Sequence, residues 1–396
     1  MTTAGRLALA LGLLTYLAAW AFGSKPLYPV ALGLLAAVLL ARIWTRVAPR
    51  PVQLWRRIAA VDPLEGDDVP VELALERTGT FLPAPVVVRE QIGKLGARET
   101  PIPLRGAASY TLRRLPRGRY VFEESAAVVE DPLGLDRLEV ELSAPGAVLV
   151  YPRLVELDRL FSESGAAAHD GRRLLLRRPA GFDLHSVRDY EQGESLRRVH
   201  WRSTAKRGQL MVKELEDSPR DEVAVVLDVD PAAVVGESFD VQVRAAGSIL
   251  HAHARRGRRA VLVVNSPRRE QQRVQSAAGD WRSALDLLAS VQPEAGPPLV
   301  ALLAEEASVA ARSLELTVVT ASLTAQLVER LVERSLTHRH VSLVFVDPAS
   351  FNGAESSRRP ELLRLQTVGV AVAVLRKGDD LAAKLGAPAI AETALA

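Results

Sequence analysis

Two apolar segments near the amino terminus constrain this chain more than any other feature. The first runs from Leu7 to Gly23 and the second from Leu27 to Trp44, and only three residues separate them. Each is about as long as a minimal membrane-spanning helix. Two helices that are apolar on every side rarely find a soluble core to enter. The sequence therefore predicts a tight transmembrane hairpin, in preference to buried soluble helices or a cleavable signal peptide.

Basic residues flank this hairpin unevenly. Lys25 alone lies in the connection between the two segments. The outer ends carry Arg6, Arg42, Arg46, Arg50, Arg56 and Arg57. Positive charge concentrates on the cytoplasmic side of membrane proteins. We therefore expect a multi-pass protein of the cell membrane whose termini and soluble domains lie in the cytoplasm.

The remaining length is too great for one ordinary core. The chain has 396 residues, of which 48% are hydrophobic and 24% are charged, so two or three folded units are expected. A net charge of +3 argues against polyanion binding along the whole chain and leaves local basic patches open. The absence of cysteine excludes disulfides, thiolate metal sites and cysteine nucleophiles.

Hydrophobic periodicity divides the chain behind the hairpin, residues 1–50, into two patterns. Residues 51–157 carry short alternating segments such as Val69–Leu75, separated by turn residues, and this predicts a small antiparallel β-sandwich of immunoglobulin-like type. Residues 222–396 alternate apolar runs with helical periods, which predicts an α/β domain with a doubly wound, mostly parallel sheet. Residues 158–221 lie between them as a linker that contains the most informative motif.

That motif is Val187–Glu216, VRDYEQGESLRRVHWRSTAKRGQLMVKELE. It combines an Arg-Asp-Tyr opening, a turn with glycine, a polar helical segment and a short, exposed-looking strand. The pattern resembles the signature of the bacterial family catalogued as domain of unknown function 58. The matching residues are Arg188, Tyr190, Gly193, Arg197, Trp201, Ala205, Leu210, Val212, Lys213 and Glu216. Glu194 and Val199 stand where the family usually has Asp and Ile, and neither departure changes charge or apolar character.

The resemblance implies a von Willebrand factor A-like domain, in which the first strand often ends in a divalent-cation site. Asp228 and Asp230 stand at the first two ligand positions, and Ala232 replaces a serine ligand. Carboxylates suit a hard cation such as Mg²⁺, which requires several oxygen ligands. Because so few ligands remain, solvated acids at a sheet end are the preferred interpretation, and we expect no cofactor.

Catalytic chemistry has little support in the same stretch. His200 is its one histidine, and Ser203 and Thr204 lie on the same helical face. A serine–histidine pair also needs an orienting carboxylate and an oxyanion hole, and the sequence supplies neither. The bases between residues 172 and 220 are interleaved with acids, which ion pairing explains as well as phosphate binding does. We expect no enzyme and no nucleic-acid binding; anionic lipid beside the hairpin is the better-motivated polyanion.

A structural and docking role fits the motif best. Its interaction candidates are Arg188, Tyr190, Gly193, Glu194, Arg197, Trp201, Lys213 and Glu216. Arginine forks can pair with the neighbouring acids, and the indole of Trp201 is suited to pin the segment on the sheet domain. The charged turn or the strand edge is then available for docking.

The resemblance implies a MoxR-type AAA+ ATPase as partner, and a transglutaminase-like membrane protein as a further one. The leading prediction is a membrane-anchored, cytoplasm-facing scaffold or adaptor in a chaperone-like or envelope-related assembly. Two alternatives stay open. One is a divalent-metal-dependent enzyme with a degenerate metal site, and the other is a module that binds anionic lipid or nucleic acid.

Overall fold

The computed structural model describes most of the chain. The described residues are 1–48, 50–78, 86–103, 107–163, 184–190, 199–215, 222–275, 279–305, 308–337, 340–354 and 358–386. The chain divides into two compact units, Met1–Tyr151 and Pro152–Ala396, which are described separately. Two apolar N-terminal helices and several sheets confirm the mixed architecture that the sequence predicts.

The first unit begins with a helical hairpin. Helix α1 spans Thr3–Phe22 and helix α2 spans Leu27–Val47. By length and composition both are apolar enough to cross a membrane, with mean hydropathies of 1.5 and 1.9. Only 17% of each apolar window is buried inside the structure, whereas the core helix of a soluble domain is mostly buried. The exposed apolar surface therefore suits a lipid environment better than a protein core.

Buried residues recur at seven-residue intervals along both helices of the hairpin, and most of them are small. The buried positions are Gly5, Gly12 and Ala19 in α1, and Ala31, Val38, Ala41 and Thr45 in α2. A Cβ added at Gly12 would lie 3.1 Å from the side chain of Leu35, so a larger residue would push the helices apart. Small residues are the usual means of close helix packing in membranes. This pattern was missed in the sequence, where each segment looks uniformly apolar.

The described residues of the first unit also form eight β-strands. They are β1 Arg50–Ile58, β2 Val69–Thr78, β3 Val86–Ile92, β4 Gly96–Ile102, β5 Ala107–Leu112, β6 Gly118–Glu130, β7 Arg137–Leu142 and β8 Gly146–Val150. One antiparallel sheet has the order β1-β2-β5, and the other has the order β4-β3-β6-β7 with β8 also paired to β6. Inward-facing residues of the two sheets, among them Leu73 and Val88, share one core. The alternation in the sequence thus marks the side chains that face this core.

A charged network lies inside that core. Arg56 donates to Glu90 through Nε at 2.9 Å and through Nη2 at 2.5 Å, and Glu90 is only 1% exposed. Tyr110 donates its hydroxyl to the other carboxylate oxygen at 2.8 Å, and burial together with this hydrogen bond raises the tyrosine pKa. The guanidinium also donates to Ser125 and lies 3.9 Å from the ring centroid of Phe122. Because the buried charges satisfy one another, removing either would strand its partner.

The second unit contains a two-stranded sheet and a six-stranded sheet. The small sheet pairs β9, Leu184–Asp189, with β10, Met211–Leu215, in antiparallel fashion. The large sheet comprises β11 Val223–Leu227, β12 Ala260–Val264, β13 Gln271–Val274, β14 Glu315–Thr320, β15 His340–Val346 and β16 Ala371–Leu375. Its order is β13-β12-β11-β14-β15-β16, in which β13 is antiparallel to β12 and the other pairings are parallel.

Helices cover both faces of the large sheet. The helices of this unit are α3 Trp201–Arg207, α4 Ser238–Arg255, α5 Trp281–Ser290, α6 Leu299–Ala304, α7 Val309–Arg312, α8 Ala325–Leu336, α9 Arg359–Thr367 and α10 Leu381–Leu385. Along β11, Val225 and Leu227 belong to one core with α4 and α5, whereas Ala224 and Val226 belong to another with α6 and α8. Every β11 side chain is therefore buried, which is why the strand is an uninterrupted apolar run.

The strand order creates a crevice at the carboxyl edge of β11. The chain passes from β11 to β12 on one side, and later places β14 on the other side. Where the direction of strand addition reverses in this way, the connecting loops diverge. Open α/β sheets commonly hold their ligands at such a point. Asp228, which directly follows β11, lies there.

Candidate functional site

The crevice beside β11 is a pocket of about 240 Å³. Its lining includes Asp228, Asp230, Asn265, Ser322, Thr324 and Gln326, together with the loop 295–300. Polar groups thus converge at one strand edge, as they do in many binding sites. Their hydrogen bonds decide whether these groups are available to a ligand.

Asp228 is the centre of a closed hydrogen-bond network. Asn265 donates its amide to Oδ1 at 2.8 Å, and Thr320 donates its hydroxyl to Oδ2 at 2.6 Å. The side-chain oxygen Oδ1 of Asn265 accepts from the backbone N–H of Val229 at 2.7 Å. Asp228 is 4% exposed, and burial raises its pKa although both side-chain donors oppose the shift. The network therefore ties together the carboxyl ends of β11, β12 and β14.

These residues do not fit a divalent cation well. Each carboxylate oxygen of Asp228 already accepts a hydrogen bond, and Asp230 Oδ1 accepts one from the backbone N–H of Ala232. The side chain of Ala232 has no atom that could bind a metal ion. Among the residues that the structure describes, no group of three or more His, Cys, Asp and Glu side chains is placed to hold a metal ion. Mg²⁺ requires about six oxygen ligands in near-octahedral geometry. The arrangement is that of a structural tie between strands.

The second locus is the motif that resembles the family signature. The structure brings its described parts together as a small module: β9, α3 and β10. Tyr190 donates its N–H to the carbonyl of Leu210 at 2.9 Å, and His200 donates its N–H to the carbonyl of Met211 at 2.8 Å. Of the interaction candidates, Gly193, Glu194, Arg197 and Glu216 lie outside the described residues. In the β9–β10 ladder, Arg188 pairs with Val212 and Lys213 pairs with Val187.

His200 and its hydroxyl neighbours hold this module together. The imidazole Nδ1 of His200 accepts from the N–H of Ser203 at 3.2 Å and lies 2.8 Å from Ser203 Oγ, so it caps the start of α3. Thr204 Oγ1 accepts from the N–H of Met211 at 3.0 Å. The predicted proximity of His200 to the Ser203 hydroxyl is thus confirmed, and the imidazole caps the helix, whereas the Thr204 hydroxyl bonds to Met211 instead.

Trp201 lies on the surface and does not pin the module to the sheet. Its side chain is 67% exposed, so the prediction that the indole packs on the sheet domain was wrong. It is the first residue of α3, a short helix in which no residue is buried. Met211, by contrast, is 1% exposed, so the strand that looked exposed in the sequence has a buried anchor.

Basic side chains are exposed on the same short helix as the indole. Arg202, Lys206 and Arg207 are all exposed, and Leu210 just beyond the helix is 40% exposed. We call these four residues and Trp201 the α3 surface. Aromatic and arginine side chains together are typical of the energetic centre of protein interfaces. The sequence named Trp201 as an interaction candidate, whereas Arg202, Lys206 and Arg207 counted only among the interleaved bases and Leu210 only as a residue of the motif, because their significance depends on the helix being exposed.

The geometry thus defines a protein with an apolar helical hairpin, a β-unit and an α/β unit that carries an aromatic and basic surface. Comparison shows what part of the chain is similar to: residues 186–352 match the model of the family described as protein of unknown function DUF58. The matched region contains the α3 surface and the Asp228 network, and the match confirms the family resemblance predicted from the motif.

A curated relative is similar over a wider range. The uncharacterized protein YeaD of Bacillus subtilis strain 168 is 25% identical over 221 residues, which cover 54% of this chain and 54% of the relative. The similarity thus spans about half the length of that relative.

Proposed function

We propose that this chain is a membrane-anchored, cytoplasm-facing adaptor whose second unit, a von Willebrand factor A-like domain, docks a partner protein through the α3 surface. The observation that carries the proposal is the 67% exposure of Trp201 inside the region that matches the family model. A tryptophan side chain buries roughly 150–250 Å² when it is enclosed. About 150 Å² therefore remains exposed, and covering it would contribute about 4 kcal/mol.

The anchoring half of the proposal rests on the hairpin. Its two helices are long and apolar enough to span a bilayer, and their outward surfaces are exposed leucines and aromatics. Arg6, Arg42 and Arg46 lie at the end where the β-strands begin, and Lys25 lies alone at the other end. The charge bias favours placing both soluble units on the cytoplasmic side.

The α/β unit supports the von Willebrand factor A-like assignment through its strand order. A six-stranded sheet with helices on both faces and one antiparallel strand next to β12 agrees with the expected architecture. The cation site that often accompanies this fold is replaced by hydrogen bonds at Asp228, Asn265 and Thr320. We therefore favour docking without a metal over a metal-dependent enzyme.

The proposed partner is a MoxR-type AAA+ ATPase, in line with the family resemblance. The α3 surface presents a tryptophan among cations, so we expect an acidic surface with an apolar pocket on the ATPase. A transglutaminase-like membrane protein is the further partner that the resemblance suggests. Such an assembly would serve a chaperone-like or envelope-related process.

A co-purification from membranes tests this proposal. Tagged full-length protein is isolated in mild detergent, and the ATPase that co-purifies is quantified for wild type, Trp201→Ala and Leu336→Ala. Leu336 is 66% exposed and lies in the same unit, so its replacement is a control matched in exposure. We expect Trp201→Ala to weaken binding at least about 30-fold, which corresponds to about 2 kcal/mol.

The control variant should bind like wild type. Recovery of no ATPase with any of the three proteins would contradict the partner. Equal recovery with wild type and Trp201→Ala would contradict the α3 surface as the docking site. Circular dichroism of each variant establishes that the replacement leaves the fold intact, since an exposed side chain contributes little to the core.

A further inference from the structure

A tight loop in the first unit, residues 131–136, joins β6 to β7. The carboxylate of Asp131 closes it at both ends, because Oδ1 accepts from the N–H of Leu133 at 2.8 Å and Oδ2 accepts from the N–H of Asp136 at 2.6 Å. Gly134 adopts a φ of +67°, a conformation that favours glycine. The loop is therefore held rigidly by its own hydrogen bonds.

This loop is fastened to both helices of the hairpin. Thr2 donates its N–H to the carbonyl of Leu135 at 3.2 Å and its hydroxyl to the carbonyl of Gly134 at 2.7 Å, and Thr45 donates its hydroxyl to Oδ2 of Asp136 at 2.9 Å. A Cβ at Gly5 would lie 2.0 Å from the carbonyl oxygen of Leu135, so only glycine admits the loop. Burial alone would raise the pKa of Asp136, but hydrogen bonds from the terminal amino group and Thr45 lower it.

The attachment fixes the level of the loop relative to a bilayer. The apolar part of α1 from Leu7 to Phe22 has 16 residues, which span roughly 24 Å at 1.5 Å per residue. The hydrocarbon core of a bilayer is about 30 Å thick. The first turn of α1, which the loop contacts at Thr2 and Gly5, therefore falls at the boundary between hydrocarbon and headgroups.

The chemistry at this level suits an anionic lipid surface. Leu133 is 66% exposed at the tip of the loop, although it lies in a rigid turn with no apolar protein surface over it. Exposed guanidinium groups surround the same end of the hairpin; they belong to Arg6, Arg42, Arg46 and Arg137. Apolar side chains enter the acyl boundary while neighbouring cations bind lipid phosphates.

We propose that loop 131–136 is a membrane footing, which inserts Leu133 into the headgroup layer of an anionic leaflet and so fixes the β-unit upright on the bilayer. The footing rests on the proposed membrane anchoring, and it adds a lipid-binding element outside the two spanning helices. Anionic phospholipid is the partner, because the four arginines supply the complementary charge.

Site-directed spin labelling tests the footing. Since the chain has no cysteine, single replacements Leu133→Cys, Val61→Cys and Leu32→Cys each give one label. Val61 is 89% exposed at the far end of β1, and Leu32 is 56% exposed within α2. Full-length protein is reconstituted in nanodiscs of phosphatidylcholine with phosphatidylglycerol. Collisional accessibility to oxygen and to a water-soluble nickel chelate then gives the depth of each label.

We expect the label at position 133 to be about threefold less accessible to the nickel chelate than the label at position 61. The label at position 32 should be the most protected of the three. Equal nickel accessibility at positions 133 and 61, with position 32 protected, would overturn the footing and leave the anchoring intact. Nickel access at position 32 as well would instead overturn the anchoring.

The tie between α2 and the loop offers a second variant. Thr45→Val removes the hydroxyl that donates to Asp136, so the label at position 133 should move toward water. Thr45→Ser keeps a hydroxyl and should restore the depth. A label whose depth is the same in both variants, and the same without phosphatidylglycerol, would contradict the proposal.

Discussion

Replacement of Asp228 separates a structural tie from a metal site most sharply. If Asp228 is a structural tie, Asp228→Ala should destabilise the fold strongly and Asp228→Asn should leave its stability nearly unchanged. Alanine removes the acceptor for the Asn265 amide and the Thr320 hydroxyl. Asparagine keeps an oxygen for Asn265, and its own amide can donate to Thr320, whose hydroxyl then donates to the carbonyl of Ser322 at 3.0 Å.

The magnitudes follow from these bonds. In Asp228→Ala the buried Asn265 amide is left without an acceptor, which costs about 1–3 kcal/mol, and the lost bond to Thr320 adds about 1 kcal/mol. We therefore expect a loss of about 3 kcal/mol, or roughly 6–12 °C in Tm for a unit of this size. Asp228→Asn should stay within about 1 kcal/mol of wild type, because every donor keeps a partner.

Differential scanning calorimetry of full-length protein, with and without Mg²⁺, measures both quantities. A cation that binds with a millimolar Kd would stabilise the folded state by about 1.4 kcal/mol at tenfold excess. We expect no such shift for wild type. The reasoning is refuted if Mg²⁺ raises the wild-type Tm and Asp228→Asn loses that response. Isothermal titration with Mn²⁺ gives an independent check.

Three further predictions concern the cores. His253 is fully buried, and burial lowers its pKa to about 4 because it disfavours the charged imidazolium. A histidine in the unfolded chain has a pKa of about 6.5 and therefore binds more protons between these two pH values, so the free energy of unfolding should fall by about 2 kcal/mol from pH 8 to pH 5. Thermal melts of His253→Gln should show a smaller loss over the same pH range. Glu90→Ala should lower the free energy of unfolding in urea by about 3–5 kcal/mol, because it leaves the buried charge of Arg56 without its partner. The double variant Glu90→Ala with Arg56→Met should recover much of that loss. If the losses of the two single variants simply add in the double variant, the buried ion pair is contradicted. Gly12→Leu should lower the free energy of unfolding of the hairpin in SDS by about 1–3 kcal/mol. Gly33 has open space around it, so Gly33→Leu should not lower it. Equal effects of the two replacements would contradict the helix packing.

Strands with regular burial were predictable from the sequence. The segment Val69–Leu75 alternates in the sequence and lies within β2, and the apolar run of β11 belongs to the region, residues 222–396, where a mostly parallel sheet was expected. Strand β1 was missed, because its sequence RPVQLWRRI is interrupted by charge. The Arg56 side chain is nevertheless buried there, chiefly because it pairs with the carboxylate of Glu90 on a neighbouring sheet. Periodicity cannot reveal a partner that lies more than thirty residues away.

The candidate site likewise has features that were predictable from the sequence and features that were not. The motif identified Trp201 and the family region, but exposure of the indole depends on how α3 is held against the start of β10. Asp228 was recognised as a carboxylate at a strand end, whereas its engagement by Asn265 and Thr320 depends on strand order. Chemistry that depends on neighbours in sequence was predictable, and chemistry that depends on neighbours in the sheet was not.

The most direct test of the docking proposal is photocrosslinking in the native membrane. A benzophenone amino acid is placed at position 201 in one protein and at position 336 in another, and the products are identified by mass spectrometry. We predict a crosslink to a MoxR-type AAA+ ATPase from position 201 and none from position 336. Absence of that product from position 201, or equal yields from both positions, would contradict the proposed function.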